Sequence, residues 1–202
     1  MHFSVAVITK GKPTYEMILQ VLAPYEEGVA CDPEDARYDW FQIGGRFAGS
    51  IQVNKRTAVD CEVGEPSWTW GDTDPYMSYG DILRVDSARV KDIIQYDKRK
   101  AERLKRTWEL ILEDGKPQGK EERFKKAAVS PDYYLDLYGT KENFIDLESR
   151  FRTYAVVTKD GKWHEFEGVG LTDNRQVGNE YRKLVFENAE EDDFLTVVDC
   201  HI

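Results

Sequence analysis

Cysteine is scarce in this chain and is not arranged to pair. Cys31, Cys61 and Cys200 are three in number, far apart, with no C-x-x-C spacing. That argues against a disulfide framework or a zinc cluster and fits a reducing compartment. No apolar run approaches the roughly 18 residues that a membrane span needs. The start, Met1-His2-Phe3-Ser4-Val5-Ala6-Val7-Ile8, has no basic region ahead of a long apolar stretch, so it reads as a first β-strand rather than a signal peptide. Neither G-x-G-x-x-G nor G-x-x-x-x-G-K-[ST] occurs, which removes the two common phosphate-loop fingerprints. Asp72 and Asp74 lack the rest of a calcium loop. No metal and no cofactor are expected.

What is present suits a core with a well-solvated surface: 41% of the 202 residues are hydrophobic and 33% charged. The formal net charge of -10 is unevenly spread. Residues 88–126 hold thirteen Lys or Arg against eight Asp or Glu, and the remainder carries an excess of fifteen acids. The acidic body repels nucleic acid through the phosphate term. The basic stretch 88–126 could attract nucleic acid or an acidic protein surface, or simply keep a helix face solvated.

Periodicity gives the element order. Phe3, Val5 and Val7 alternate with polar or small residues as in a strand, and Met17, Ile18, Val21 and Leu22 then recur at helical spacing. A strand is expected near Trp40. A long helix is expected over residues 87–114, with a seam of Val90, Ile94, Asp97, Ala101, Leu104, Trp108 and Ile111 that could pack within the chain or between copies in a homo-oligomer. Ser130-Pro131-Asp132 starts a helix, Gly139 stops it, and Thr140 opens another. Asp160-Gly161 between two β-prone runs predicts a two-residue hairpin turn. That register would place His164 on the face of Ala155, Val157 and Phe166. A helix over residues 175–188 and a strand from Phe194 close the chain. The fold class is α+β: a ferredoxin-like antiparallel sheet backed by helices, formed by residues 1–57 and 151–202, with residues 58–150 as a loop and mostly helical insertion. Trp68, Trp70, Tyr76 and Tyr79 in the turn-rich part anchor that loop or cover a ligand.

Two clusters carry candidate chemistry. Trp40-Phe41-Gln42-Ile43-Gly44-Gly45-Arg46 unites aromatic faces, paired glycines that admit close backbone approach, and a guanidinium suited to phosphate or carboxylate. Trp40, Phe41, Gly44, Gly45 and Arg46 are therefore the ligand-binding candidates. The alternative is a strand end with Trp40 in the core and Arg46 paired to an acid such as Asp39. The second cluster comes from strand geometry. If first and last strands lie antiparallel and adjacent, His2 meets Asp199 and His201, which share a face. A carboxylate beside an imidazole makes an acid–base group or completes a metal site. His201, Asp199, His2 and His164 are the catalytic candidates. His2-Phe3-Ser4 matches one half of the His-x-Ser/Thr pair of two-histidine phosphoesterases, without a second copy.

Three segments, Tyr38 to Gly49, Tyr154 to His164 and Thr196 to Ile202, resemble uncharacterised proteins of bacteriophages and related mobile elements. The resemblance covers both ends of the chain and brings no assigned activity or catalytic residue. It implies the cytoplasm of a bacterial host and a host component as partner, including a defence protein or its nucleotide signal. The leading expectation is a non-enzymatic protein that captures a nucleotide-like or phosphorylated small molecule. The alternatives are a phosphodiesterase or nucleotide hydrolase using His201 and Asp199, and an acidic inhibitor of a host nucleic-acid-binding or defence protein.

Overall fold

The computed structural model describes residues 1–63, 75–128, 130–168 and 170–202. They form two compact units, Met1–Ile94 with Arg152–Phe166 and Tyr181–Ile202, and Gln95–Phe151 with Glu167–Glu180. Trp68, Trp70, Asp72 and Asp74 lie outside the described residues.

The first unit is built on β1 (His2–Lys10), β2 (Trp40–Ile43), β5 (Ser87–Arg89), β6 (Ala155–Val157), β7 (Trp163–Glu165) and β8 (Asp193–His201), with β3 (Ile51–Asn54) and β4 (Ile82–Val85) forming a small second sheet. The main sheet runs β2-β8-β1-β6-β7, and β5 also pairs with β8. It is mixed: β1 lies parallel to β6 and the other pairs are antiparallel. Among the described residues no helix is long and apolar enough to cross a membrane.

The period-two pattern of β1 decides which face is buried under helix α1 (Tyr15–Leu22). Phe3, Val5 and Val7 pack with Ile18 and Leu22 of α1 and with Val198, Cys200, Ala155 and Val157 of the neighbouring strands. Thr14 caps α1 by accepting from the N–H of Met17. Truncating Ile18, which is fully buried, would cost about 2–5 kcal/mol.

The sheet departs from the expected ferredoxin-like order in the place of β2. That order needs β2 beside β6, but β2 lies beyond β8, and β7 occupies the edge of β6. β5 pairs with β8 within the first unit, and Glu167–Glu180 falls in the second.

The β6–β7 hairpin has a three-residue loop, Lys159-Asp160-Gly161, rather than a two-residue turn. Thr158 donates to the Lys162 carbonyl, and Gly161 takes the left-handed φ of +76°. Tyr25 holds this register: its hydroxyl accepts from the N–H of Trp163 and donates to the Gly161 carbonyl. One extra loop residue moves every β7 side chain to the other face. His164 therefore stands opposite Val156, not on the face of Ala155 and Val157.

The second unit contains α2 (Lys98–Leu112), α3 (Glu121–Ala127), α4 (Pro131–Tyr138), α5 (Lys141–Ser149) and most of α6 (Leu171–Arg182), which continues as a π-helical stretch, Lys183–Glu187. The long helix begins at Lys98, not near Ser87. Asp97, expected as a polar break in the seam, is its N-cap and accepts from the Lys100 N–H at 2.9 Å. Ala101 and Trp108 are buried along the seam. Trp108 packs on Phe144 of α5, which also meets Tyr134 and Tyr138 of α4. Ser130 and Thr140 cap α4 and α5, and Gly139 ends α4 with a positive φ, as the sequence indicates.

Candidate functional site

Strand pairing in the first unit brings Trp40 of the first sequence cluster beside His2, Asp199 and His201 of the second. His201 of β8 stands opposite His2 of β1 on one side and Trp40 of β2 on the other. One register step inward, Asp199 stands opposite Ser4 and Gln42. These six side chains share a face, because residues two apart on a strand point the same way.

Two histidine–aspartate pairs organise the face. His2 Nδ1 lies 2.8 Å from Asp199 Oδ1, and His201 Nδ1 lies 2.9 Å from Asp39 Oδ1. The imidazole centroids are 4.9 Å apart. Trp40 stacks on His201 at 5.5 Å and 13°, and meets His2 edge-on at 5.3 Å. Asp199 is fully buried, while the His2 and His201 side chains remain 15% and 32% exposed. Asp199 is thus tucked beneath an imidazole that solvent can reach, whereas Asp39 is itself exposed beside His201.

Burial pushes the Asp39 carboxyl pKa up, but the hydrogen bond and charge of His201 outweigh this and hold it below the ordinary value. With Nδ1 of His201 against the Asp39 carboxylate, Nε2 is the ring nitrogen left to meet another group. The second oxygen of Asp199 accepts from the backbone N–H of Arg46 at 2.8 Å. Cys200 points to the opposite, core face, where burial pushes its thiol pKa far up. It is no nucleophile at neutral pH.

The glycine turn works differently from the expected phosphate cradle. Gly44 and Gly45 adopt φ of +74° and +52°. A Cβ on Gly44 would lie 2.6 Å from Asp86 Oδ2, and one on Gly45 would lie 2.4 Å from Asp199 Cβ. The anions that the paired glycines admit are the protein's own buried carboxylates. Asp86, also fully buried, accepts from the Gly49 N–H at 2.6 Å and from the Tyr76 hydroxyl.

The five ligand-binding candidates therefore do not form one pocket. Trp40 and Phe41 are on opposite faces of β2. Phe41 packs toward α1 and stacks on Tyr15 at 5.7 Å, so the two rings cannot lie against the same ligand. Trp40 is 40% exposed rather than in the core. Arg46 is exposed, and its guanidinium has no hydrogen-bond or ion-pair partner among the described residues, since Asp39 is taken by His201. His164 shares the histidine face through the corrected register. It sits two strands from β1, opposite Val156, which pairs with Ala6. Strand spacing puts it roughly 15 Å from His2, outside the cluster.

Reasoning from sequence missed two members. Asp39 entered only as a partner for Arg46, and Asp86 not at all. Asp39 lies within the Tyr38-to-Gly49 segment and Asp86 in no motif, and the partners of both are revealed only by the fold. A third acidic group, Glu190, Asp192 and Asp193, has the compactness of a cation site. Lys159 already bridges Glu190 and Asp193 at 3.0 and 2.9 Å, so the charge there is compensated internally. Comparison with protein-family models, curated proteins and solved structures returns no match for this chain.

Proposed function

We propose that the first unit carries a two-histidine acid–base site that cleaves a phosphodiester bond in a small nucleotide. The observation that carries this reading is the pair of imidazoles on adjacent strands, each with Nδ1 bonded to an aspartate. Each aspartate fixes its ring and stabilises the imidazolium, leaving Nε2 to exchange a proton with substrate. One imidazole removes the proton from an attacking hydroxyl. The other, protonated at Nε2, gives its proton to the departing alkoxide as the P–O bond breaks. The exposed Arg46 guanidinium lies on the turn that bonds Asp199 and supplies a donor fork for the phosphate oxygens. Trp40 offers a stacking surface for a base. The net charge of -10 favours a short substrate over a polymeric one.

The test is turnover of a dinucleotide such as adenylyl-adenosine, with His201→Ala and His201→Gln alongside. Loss of one acid–base group costs about 10²–10⁴ in rate, and the pH profile of the wild type should be bell-shaped, because the two rings act in opposite protonation states. Turnover abolished by EDTA would instead make the Nε2 atoms metal ligands, since carboxylate-bound Nδ1 is also how metal-binding histidines are held. A second reading, capture without cleavage, is favoured by the unpartnered Arg46 and exposed Trp40. It expects an intact nucleotide released on denaturing the wild type but not Arg46→Ala. Turnover insensitive to both His201 variants would end the acid–base reading.

A further inference from the structure

Beside the histidine face, the loop after α1 and Ile202 line an open cavity of about 390 Å³ that shares Asp39 with the His201 pair. Four small residues, Gly28, Ala30, Pro33 and Ala36, form part of its wall. We infer that this cavity is the nucleoside subsite of the phosphodiester substrate, seating a neutral, hydroxyl-bearing ribose and base while the phosphorus lies over His2 and His201. The inference rests on the acid–base reading for its place in the reaction, and on the cavity's own chemistry for its ligand class.

The volume falls within the 300–1,000 Å³ of small-molecule pockets and is large enough for a nucleoside. The charges at its wall select against the phosphorylated end. Glu27 and Asp39 contribute carboxylates, and Asp39 is held in its ionised form by His201. The one cation in the wall, Arg37, is spent elsewhere: its guanidinium donates to the carbonyls of Glu34 and Ala36 and faces Glu165 at 3.6 Å. An anion entering this cavity would meet two acids and no free base. A group rich in O–H and N–H donors would instead find carboxylate acceptors. Arg46, at the other end of the Asp39-to-Arg46 segment, is exposed, and its guanidinium has no partner among the described residues. A substrate with its nucleoside toward Ala36 would then bring its phosphate to the His201 side of Asp39, the residue the cavity and the histidine face share.

The backbone of this wall is already fixed, so the shape is preorganised. Glu27 N–H donates to the Tyr38 carbonyl, Arg37 N–H to the Tyr25 carbonyl, and Ala30 N–H to the Glu26 carbonyl. The Asp32 side chain caps the 3-10 turn Pro33–Asp35 by accepting from the Glu34 N–H at 3.0 Å. Ala30 and Ala36 are half-buried and line the space, so a large side chain at either position projects into the cavity without disturbing these bonds.

The experiment has two arms, each run on wild type, Ala36→Trp and Ala30→Leu, with thermal melts confirming that the variants fold. In the first, adenosine, which has no phosphate, is the probe, and binding is followed by saturation-transfer NMR. Wild type should bind it, and Ala36→Trp should weaken binding at least tenfold, with Ala30→Leu in between. Absence of binding to wild type at millimolar adenosine, or equal binding to all three proteins, overturns the subsite. In the second arm, kcat/KM for adenylyl-adenosine is divided by that for bis(4-nitrophenyl) phosphate, which has no nucleoside. The ratio should fall at least tenfold in Ala36→Trp through a raised KM, and an unchanged ratio overturns the assignment. If neither substrate is turned over by any protein, the acid–base reading fails, while the adenosine arm still decides whether the cavity takes a nucleoside.

Discussion

Replacing Gly45 by alanine tests the claim that the glycine turn exists to admit a buried carboxylate. Two costs add. A non-glycine residue in the left-handed region, here φ +52°, costs about 1–2 kcal/mol. The new Cβ would also lie 2.4 Å from Asp199 Cβ and 2.6 Å from its Oδ2, so Asp199 must shift off the Arg46 N–H. Leaving that buried oxygen without its donor costs about 1–3 kcal/mol more. The sum, about 2–5 kcal/mol, corresponds to a melting temperature lowered by about 4–20 °C for a chain of this size. Gly161→Ala is the control, because Gly161 has φ +76° but nothing within 4 Å of its would-be Cβ. It should lose only the left-handed cost. Thermal melts followed by circular dichroism compare the two, and amide hydrogen exchange at Arg46 should quicken in Gly45→Ala alone, since Asp199 is the acceptor of that N–H. If Gly45→Ala is no less stable than Gly161→Ala, the carboxylate-admitting role is refuted.

The Tyr38 hydroxyl is buried with no hydrogen-bond partner among the described residues, whereas that of Tyr181 meets Thr153 Oγ1 at 3.1 Å. Urea unfolding should therefore show Tyr38→Phe as neutral or stabilising and Tyr181→Phe as destabilising by about 1 kcal/mol. Lys162 and the Thr158 hydroxyl lower the pKa of Asp160 from 3.8 to about 2. A folded pKa below the unfolded one adds stability that is full above about pH 4 and is lost as pH falls toward about 2. Carboxyl NMR should show that low pKa, moving back toward 3.8 in Lys162→Ala or at high salt. Among the thiols, Cys31 is exposed and Cys200 buried. A thiol reagent should modify Cys31 in the native protein and reach Cys200 only on unfolding, and early labelling of Cys200 would contradict the core assignment.

Much of the local structure was legible because its causes are local. Thr14, Ser130 and Thr140 act as caps, and the alternation of Phe3, Val5 and Val7 is read directly by the sheet. The meeting of His2, Asp199 and His201 was also legible, because it needs only that first and last strands be antiparallel neighbours. What failed depends on pairing at a distance or on a single residue of register. The place of β2 beyond β8 is set by which strand edge is free, and the face of His164 by one extra loop residue held by Tyr25. Trp40 and Phe41 were grouped as neighbours in sequence although adjacent strand residues face opposite ways. The partnership of Asp39 with His201, 162 residues apart, was hidden because it depends on β2 pairing with β8.

That separation gives the site a temporal character. His2 and Asp199 are 197 residues apart, so their pairing closes a loop spanning almost the whole chain. Closing such a loop early would cost entropy with little yet formed to offset it, and contacts of this range slow folding. A perturbation that frays β1–β8 pairing should therefore part His2 from Asp199 before helical circular dichroism changes. Were the proposed activity present, its appearance during refolding would report when the two ends of the chain have met.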